Sequence, residues 1–184
     1  SAAGTRAASS HSAALASSDI AVEALFEKTG IILTRSVEHL LDVTKLLSSQ
    51  PLPPGPRVGA ITNAGGPGVL LADACEAHGL TMPEYAPETK DKLRAFLPAY
   101  AGLANPIDMI ASATPEQYAR AIEIAGADPN IDSLILIYVP PRLHSPEEML
   151  KAIEGAIERV PQEKPVLAVL MSSTGLPPLV CSGS

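Results

Sequence analysis

The chain has 184 residues, a formal net charge of -7, 46% hydrophobic and 18% charged residues, and only 3% aromatics. That length holds one α/β domain plus an appendage, with a substantial core that Ala, Val, Leu and Ile must fill. The acidic balance, without a Lys/Arg cluster or stacking aromatics, excludes a nucleic-acid surface. No apolar run approaches the ~18–20 residues of a membrane span. Residues 1–19 lack the apolar stretch of a signal peptide, so the sequence reads as cytoplasmic.

Residues 1–18, SAAGTRAASSHSAALASS, are nearly all small and polar, cannot pack a core, and read as a flexible or docking loop. Their abrupt start reads as that of a piece of a longer polypeptide. Asp19 caps an expected helix to about Thr29, stopped by Gly30. Ile31, Ile32, Leu33 and Thr34 make a short strand or an extended bridge. Ser36 then caps a helix over 37–48 with an apolar face of Val37, Leu40, Leu41, Val43 and Leu47. The proline-rich run 50–56 is a stiff linker.

From Arg57 onward, strand and helix alternate. Val58 to Thr62 is an apolar strand, followed by Asn63-Ala64-Gly65-Gly66-Pro67-Gly68 and a helix over 69–78 closed by Gly79. Residues 80–82 read as a second strand and 87–97 as a helix. An irregular stretch over 99–110 holds Asn105-Pro106-Ile107-Asp108. Thr114-Pro115-Glu116-Gln117 is a capping box opening a helix over 115–126. Residues 133–139 are continuously apolar, as suits a strand buried on both faces. Ser145-Pro146-Glu147-Glu148 repeats the capping signal for a helix ending near Val160, and residues 165–171 are the last clear strand.

Strands separated by single helices imply right-handed crossovers and a parallel sheet with helices on both faces. The expectation is an α/β, three-layer, flavodoxin-like domain of four or five strands, preceded by the small-residue loop and two helices. The parts are a loop over 1–18, a helical linker region over 19–56 and the domain over 57–184. In such sheets ligands bind at the carboxyl ends of the strands, where the glycine turn sits. Backbone N–H groups and a helix dipole there suit a phosphate or carboxylate. The candidate anion site is Asn63, Ala64, Gly65, Gly66 and Gly68. The bland alternative is a tight βα connection. The turn is neither a P-loop nor G-x-G-x-x-G.

Several residue types carry less. Cys75 and Cys181 are too few for a disulfide framework or a zinc site, and Cys75 reads as a small buried hydrophobe. His39, His78 and His144 read as structural or exposed, and no metal site is expected. By itself His11 reads as a surface histidine in a tail.

The run from Ser9 through His11 to Asp19 resembles the SHTGxLAGxD loop of the NDP-forming acyl-CoA synthetases, the superfamily of succinyl-CoA synthetase and ADP-forming acetyl-CoA synthetase. Residues 57–68 and Asn105-Pro106-Ile107-Asp108 resemble that family's RVAIVTNAGGPG and NPVDL stretches, in the same order and at similar spacing. The resemblance covers roughly residues 1–171. It implies that His11 is the catalytic residue, phosphorylated by an acyl phosphate and discharged to a nucleoside diphosphate, and that the glycine turn is one dock for its phosphate. It assigns Asn105 and Asp108 a supporting role, with bracing of the loop as the structural reading. Ser12, Ala13 and Ser17 depart from the family's loop pattern.

The resemblance further implies acid + CoA + NTP ⇌ acyl-CoA + NDP + phosphate in the parent enzyme. CoA, ATP/ADP and Mg²⁺ would be its cofactors, with none bound in this stretch. The expected partners are a CoA-binding Rossmann domain, an ATP-grasp domain or subunit and a small carboxylic acid, in a homo- or hetero-oligomer. The chain alone is then expected to be inactive. Two alternatives stand beside this: an acyl-CoA-sensing region of a protein-lysine acetyltransferase, and a non-catalytic interaction domain.

Overall fold

The computed structural model describes residues 19–141 and 145–171. It divides into two compact units, Ser1–Ser48 and Ser49–Ser184. In the first, helix α1 (Asp19–Thr29) ends at Gly30, whose φ of 71° is the left-handed stop that glycine adopts freely. Helix α2 (Val37–Ser49) is capped as expected: the His39 N–H donates to Ser36 Oγ at 3.1 Å. Residues 31–34, read as a short strand or an extended bridge, form no strand and pair with no strand among the described residues. The expected apolar face of α2 is likewise uncovered, since none of its residues is buried.

The second unit carries a four-stranded, all-parallel sheet in the order β2-β1-β3-β4. Its elements are β1 (Val58–Thr62), α3 (Gly65–Ala77), α4 (Pro87–Arg94), β2 (Ile107–Asp108), α5 (Pro115–Gly126), β3 (Ser133–Tyr138), α6 (Pro146–Ile157) and β4 (Val166–Leu170). The register sets Ile61 beside Ile107 and Leu136, and Leu134 beside Val166. Because strand side chains alternate between faces, these residues share one face. They form the core there with Tyr118, Ala121, Ile122 and Ala125 of α5 and Met149, Ile153 and Ala156 of α6. Tyr118 and Tyr138 meet edge to face at 5.6 Å within that layer. Thr62 points to the opposite face, and α3 packs there through Gly68. The arrangement is the expected flavodoxin-like, three-layer α/β fold.

The capping box at Thr114 is present in both directions with Gln117. The one expected at Ser145 is not: its hydroxyl donates to Glu147 Oε2 at 2.6 Å and caps nothing. Residues 80–82 shrink to one parallel bridge, Thr81 to Arg57, while the stretch expected to be irregular supplies β2 instead. Helix α4 stops at Arg94 rather than 97, and α6 stops at Ile157 rather than near Val160.

Candidate functional site at the carboxyl end of β1

β1 is buried along its whole length, so every backbone group on it needs a partner. β3 serves one edge of it. β2 has only two residues and reaches only Ile61 and Thr62 on the other. Side chains complete that outer edge. The Val58 N–H donates to Thr81 O at 2.7 Å. Asn105 then acts as a missing stretch of strand: its Nδ2 donates to Val58 O at 2.8 Å and Pro83 O at 2.9 Å, and its Oδ1 accepts from the Ala60 N–H at 3.0 Å. The Tyr85 hydroxyl donates to Ala60 O at 3.2 Å, and the Met109 N–H to Thr62 O at 2.8 Å. Burial pushes the Tyr85 and Tyr118 phenols far up, so both act as neutral donors rather than as acids.

Asn63 does the corresponding work toward β3. Its Oδ1 accepts from the Val139 N–H at 2.9 Å and its Nδ2 donates to Val139 O at 2.7 Å. The side chain is thereby held inside the fold, with both polar atoms engaged by Val139. Thr62 Oγ1 accepts from the Ala64 N–H at 3.0 Å and donates to Ala64 O at 2.9 Å. That closes the turn and uses the Ala64 donor.

Helix α3 begins at Gly65, four residues before the apolar pattern marks it, with Ala64 as N-cap and no side-chain cap. The glycines are therefore the helix's first turn rather than a loop before it. The Gly65 and Gly66 N–H groups have no hydrogen-bond partner among the described residues, as first-turn donors do when uncapped. Pro67 has no N–H to offer. Gly68 already donates to Ala64 O at 3.5 Å. Of the five candidate anion-site residues, two present open backbone donors.

The glycines also differ in the space around them. A Cβ built on Gly66 meets nothing within 4 Å, so an incoming group has free approach there. On Gly68 it would lie 3.2 Å from Thr62 Cγ2 and 3.5 Å from Pro106 Cγ, so that glycine serves helix–sheet packing. On Gly65 it would lie 3.4 Å from Asp108 Oδ2. Asp108 thus stands at the helix N-terminus, where a carboxylate is favoured by the dipole. Its other oxygen accepts from the Ile110 N–H at 2.9 Å and holds Ile110 at a φ of 60°, an uncommon conformation for a β-branched residue. Asn105 and Asp108 both brace the turn, one through β1 and one beside Gly65.

His11, His144 and Cys181 lie outside the described residues. Cys75 is buried on α3, and burial raises its thiol pKa. No group of three or more His, Cys, Asp or Glu able to hold a metal occurs among the described residues. No helix among them is long and apolar enough to cross a membrane. Sequence reasoning missed the Arg57–Asp132 pair at the opposite end of β1, where Nη2 lies 2.7 Å from Oδ1 and Nε 3.0 Å from Oδ2. The signal was there in principle: an arginine at a strand's start and an aspartate directly before the neighbouring strand.

Residues 58–176 match the family model of the Ligase-CoA domain. The chain belongs to the Ligase-CoA domain family. Residues 1–47 match the succinyl-CoA ligase-like flavodoxin domain. Among its relatives, the alpha subunit of ADP-forming acetate–CoA ligase II from Pyrococcus furiosus is 42% identical over 171 residues, covering 92% of this chain and 37% of that subunit. ADP-forming acetate–CoA ligase I from Archaeoglobus fulgidus is 37% identical over 154 residues, covering 84% of this chain and 22% of that protein. The acetyl-coenzyme A synthetase 1 of Candidatus Korarchaeum cryptofilum, solved in complex with phosphate and ADP, superposes with a TM-score of 0.85 at 33% identity. It covers 94% of this chain and 37% of that one. The resemblance to the NDP-forming acyl-CoA synthetases is thus borne out, and this Ligase-CoA chain spans well under two thirds of these relatives' lengths.

Proposed function

We propose that this chain is the phosphoryl-carrier portion of an NDP-forming acyl-CoA synthetase, which converts acid + CoA + NTP to acyl-CoA + NDP + phosphate. In this reading residues 1–18 carry His11, residues 19–56 link, and residues 57–184 form the phosphate-docking domain. In this direction the neutral His11 imidazole attacks the γ-phosphorus of NTP and NDP leaves. The acid's carboxylate then takes the phosphoryl group from the phosphohistidine to give the acyl phosphate, from which the CoA thiol displaces phosphate. In reverse the imidazole attacks the acyl phosphate, the carboxylate leaves and the nucleoside diphosphate takes the phosphoryl group. CoA, the nucleotide and Mg²⁺ are bound by a CoA-binding Rossmann domain and an ATP-grasp domain or subunit. The substrate is a small carboxylic acid, the assembly is oligomeric, and the compartment is the cytoplasm. The chain alone is inactive because those parts perform the nucleotide and thioester chemistry.

The observation that carries this reading is the open first turn of α3 in a Ligase-CoA domain. Two N–H groups at a helix N-terminus without a partner among the described residues, with free space over Gly66, suit a phosphate that arrives and leaves. Asp108 supports the exchange character of such a dock, since a carboxylate beside Gly65 opposes permanent retention of an anion. Asn63, Asn105 and Gly68 fix the turn's position against β1 and β3. The test is autophosphorylation of the whole enzyme with labelled ATP and Mg²⁺. The reading expects acid-labile, base-stable label that disappears in His11→Ala; equal labelling of that variant overturns it.

A further inference from the structure

We propose that Lys164 is a self-acylation site, whose ε-amine takes the acyl group of an acyl phosphate or acyl thioester at the amino end of β4. Lys164 closes the turn between α6 and β4: its N–H donates to Pro161 O at 3.0 Å, and the buried Pro165 follows it. The side chain is half-buried, and its Nζ donates to the backbone oxygen of the buried Asp128 at 2.5 Å. No carboxylate pairs with that Nζ among the described residues. The other described lysines differ. Lys28, Lys45, Lys92 and Lys151 are exposed, and Lys90 pairs with Glu84. Burial pushes the Lys164 ammonium below its usual range and Arg57 adds to this, against the pull of Asp128, Glu163 and Asp132. A desolvated, unpaired amine holds more of its neutral, nucleophilic form near neutral pH than an exposed one.

The surroundings suit the product as well. Lys164 lines a cleft of about 430 Å³ whose apolar walls are Pro51, Ile157, Val160, Pro161 and Val166. It is the one amine in that lining, and the neighbouring Gln50 Oε1 is already engaged by the Val166 N–H at 3.2 Å. A short acyl chain on Nζ thus has apolar surface to lie against. In the step itself the Nζ lone pair adds to the acyl carbonyl carbon. The C–O bond to phosphate, or the C–S bond to CoA, then breaks. The leaving group departs with the electron pair, and the nitrogen releases a proton to solvent. The product amide keeps one N–H for Asp128 O and has lost the charge. The proposal takes its acyl donors from the phosphoryl-carrier reading but concerns a different place, since the amino end of β4 lies across the parallel sheet from the first turn of α3.

Mass spectrometry of the whole enzyme, incubated in separate arms with acetyl phosphate and with acetyl-CoA, tests it. Lys164 is expected to be acetylated about threefold or more faster than Lys28, Lys92 and Lys151 in at least one arm, and the faster arm names the donor. Unfolding the enzyme in urea removes that advantage. Lys164→Arg removes the label at this position and leaves the exposed lysines as they were. Labelling of Lys164 no faster than the exposed lysines in both arms overturns the proposal. So does an advantage that persists in urea, which assigns it to the local sequence rather than to the folded cleft. With acetate, CoA and ATP in place of the ready-made donors, His11→Ala is expected to lose the Lys164 label. Label retained there counts against the phosphoryl-carrier reading alone, so the two readings fail separately.

Discussion

Replacing Asn105 exposes how β1 is held. In Asn105→Ala, Val58 O and Ala60 N–H lose their only outer-edge partners, and Val58 and Ala60 are 3% and 1% exposed, so water cannot take over. Leaving a buried backbone group unsatisfied costs about 1–3 kcal/mol, so the two together cost about 2–6 kcal/mol. The third bond, to the half-buried Pro83 carbonyl, is replaceable by solvent. Set against an ordinary stability of ~5–15 kcal/mol, that is a large fraction. At about 2–4 °C per kcal/mol for a unit of this size, the midpoint falls by about 4–24 °C. Asn105→Asp sharpens the test because it is isosteric. The carboxylate still accepts from Ala60 N–H but cannot donate, and it faces two carbonyl oxygens. It is therefore expected to melt at or below the alanine variant in thermal denaturation followed at 222 nm. An aspartate variant melting within ~2 °C of the native chain refutes the account of the strand edge. Asn63→Asp keeps acceptance from Val139 N–H and loses one donated bond, so its loss is smaller.

Other expectations follow from neighbouring contacts. The Arg57 guanidinium, chiefly through its hydrogen bonds, holds the Asp132 carboxyl below the usual carboxylate range. A depressed carboxyl pKa contributes stability that is fully present above the unfolded value of ~3.9 and lost as pH falls through the folded one. Urea midpoints should therefore drop below about pH 4, and Arg57→Met should flatten that dependence. An unchanged acid slope in the variant contradicts the assignment. Arg57 itself is raised by the same hydrogen bond and stays charged throughout this window. At the end of α5, a Cβ on Gly126 would lie 2.7 Å and 2.9 Å from the two Val160 methyl carbons. Gly126→Ala should cost about 1–3 kcal/mol from overpacking. Adding Val160→Ala should recover at least about 1 kcal/mol of it in a double-mutant cycle, and strict additivity would disprove the clash.

Much of this was legible in the residues because local and global signals agreed. The continuous apolar run of β3, the Thr114 capping box and the glycine stops at Gly30 and Gly79 each specify their element without tertiary help. The glycine turn was legible as a feature but not in its geometry. Gly65, Gly66 and Gly68 interrupt the apolar period, which starts at Val69, so the helix appears to begin four residues late. The division of labour among them depends on what lies above each Cα, Asp108 or Thr62 or nothing, and no local pattern encodes that. Asn105 shows the same limit. Asn-Pro reads as a turn, and only the two-residue length of β2 reveals that its amide must stand in for strand. Residues 31–33 have strand character but pair with nothing among the described residues, because a strand needs an edge that propensity cannot supply.

The central claim is that the first turn of α3 receives the transferred phosphate. Gly66→Val tests it most directly, since the added side chain enters open space in the fold and obstructs only what approaches the turn. In the whole enzyme, the account expects the rate of phosphohistidine formation to fall about tenfold or more, with CoA affinity and thermal midpoint unchanged. Undiminished labelling, or a loss of CoA affinity in its place, would contradict it.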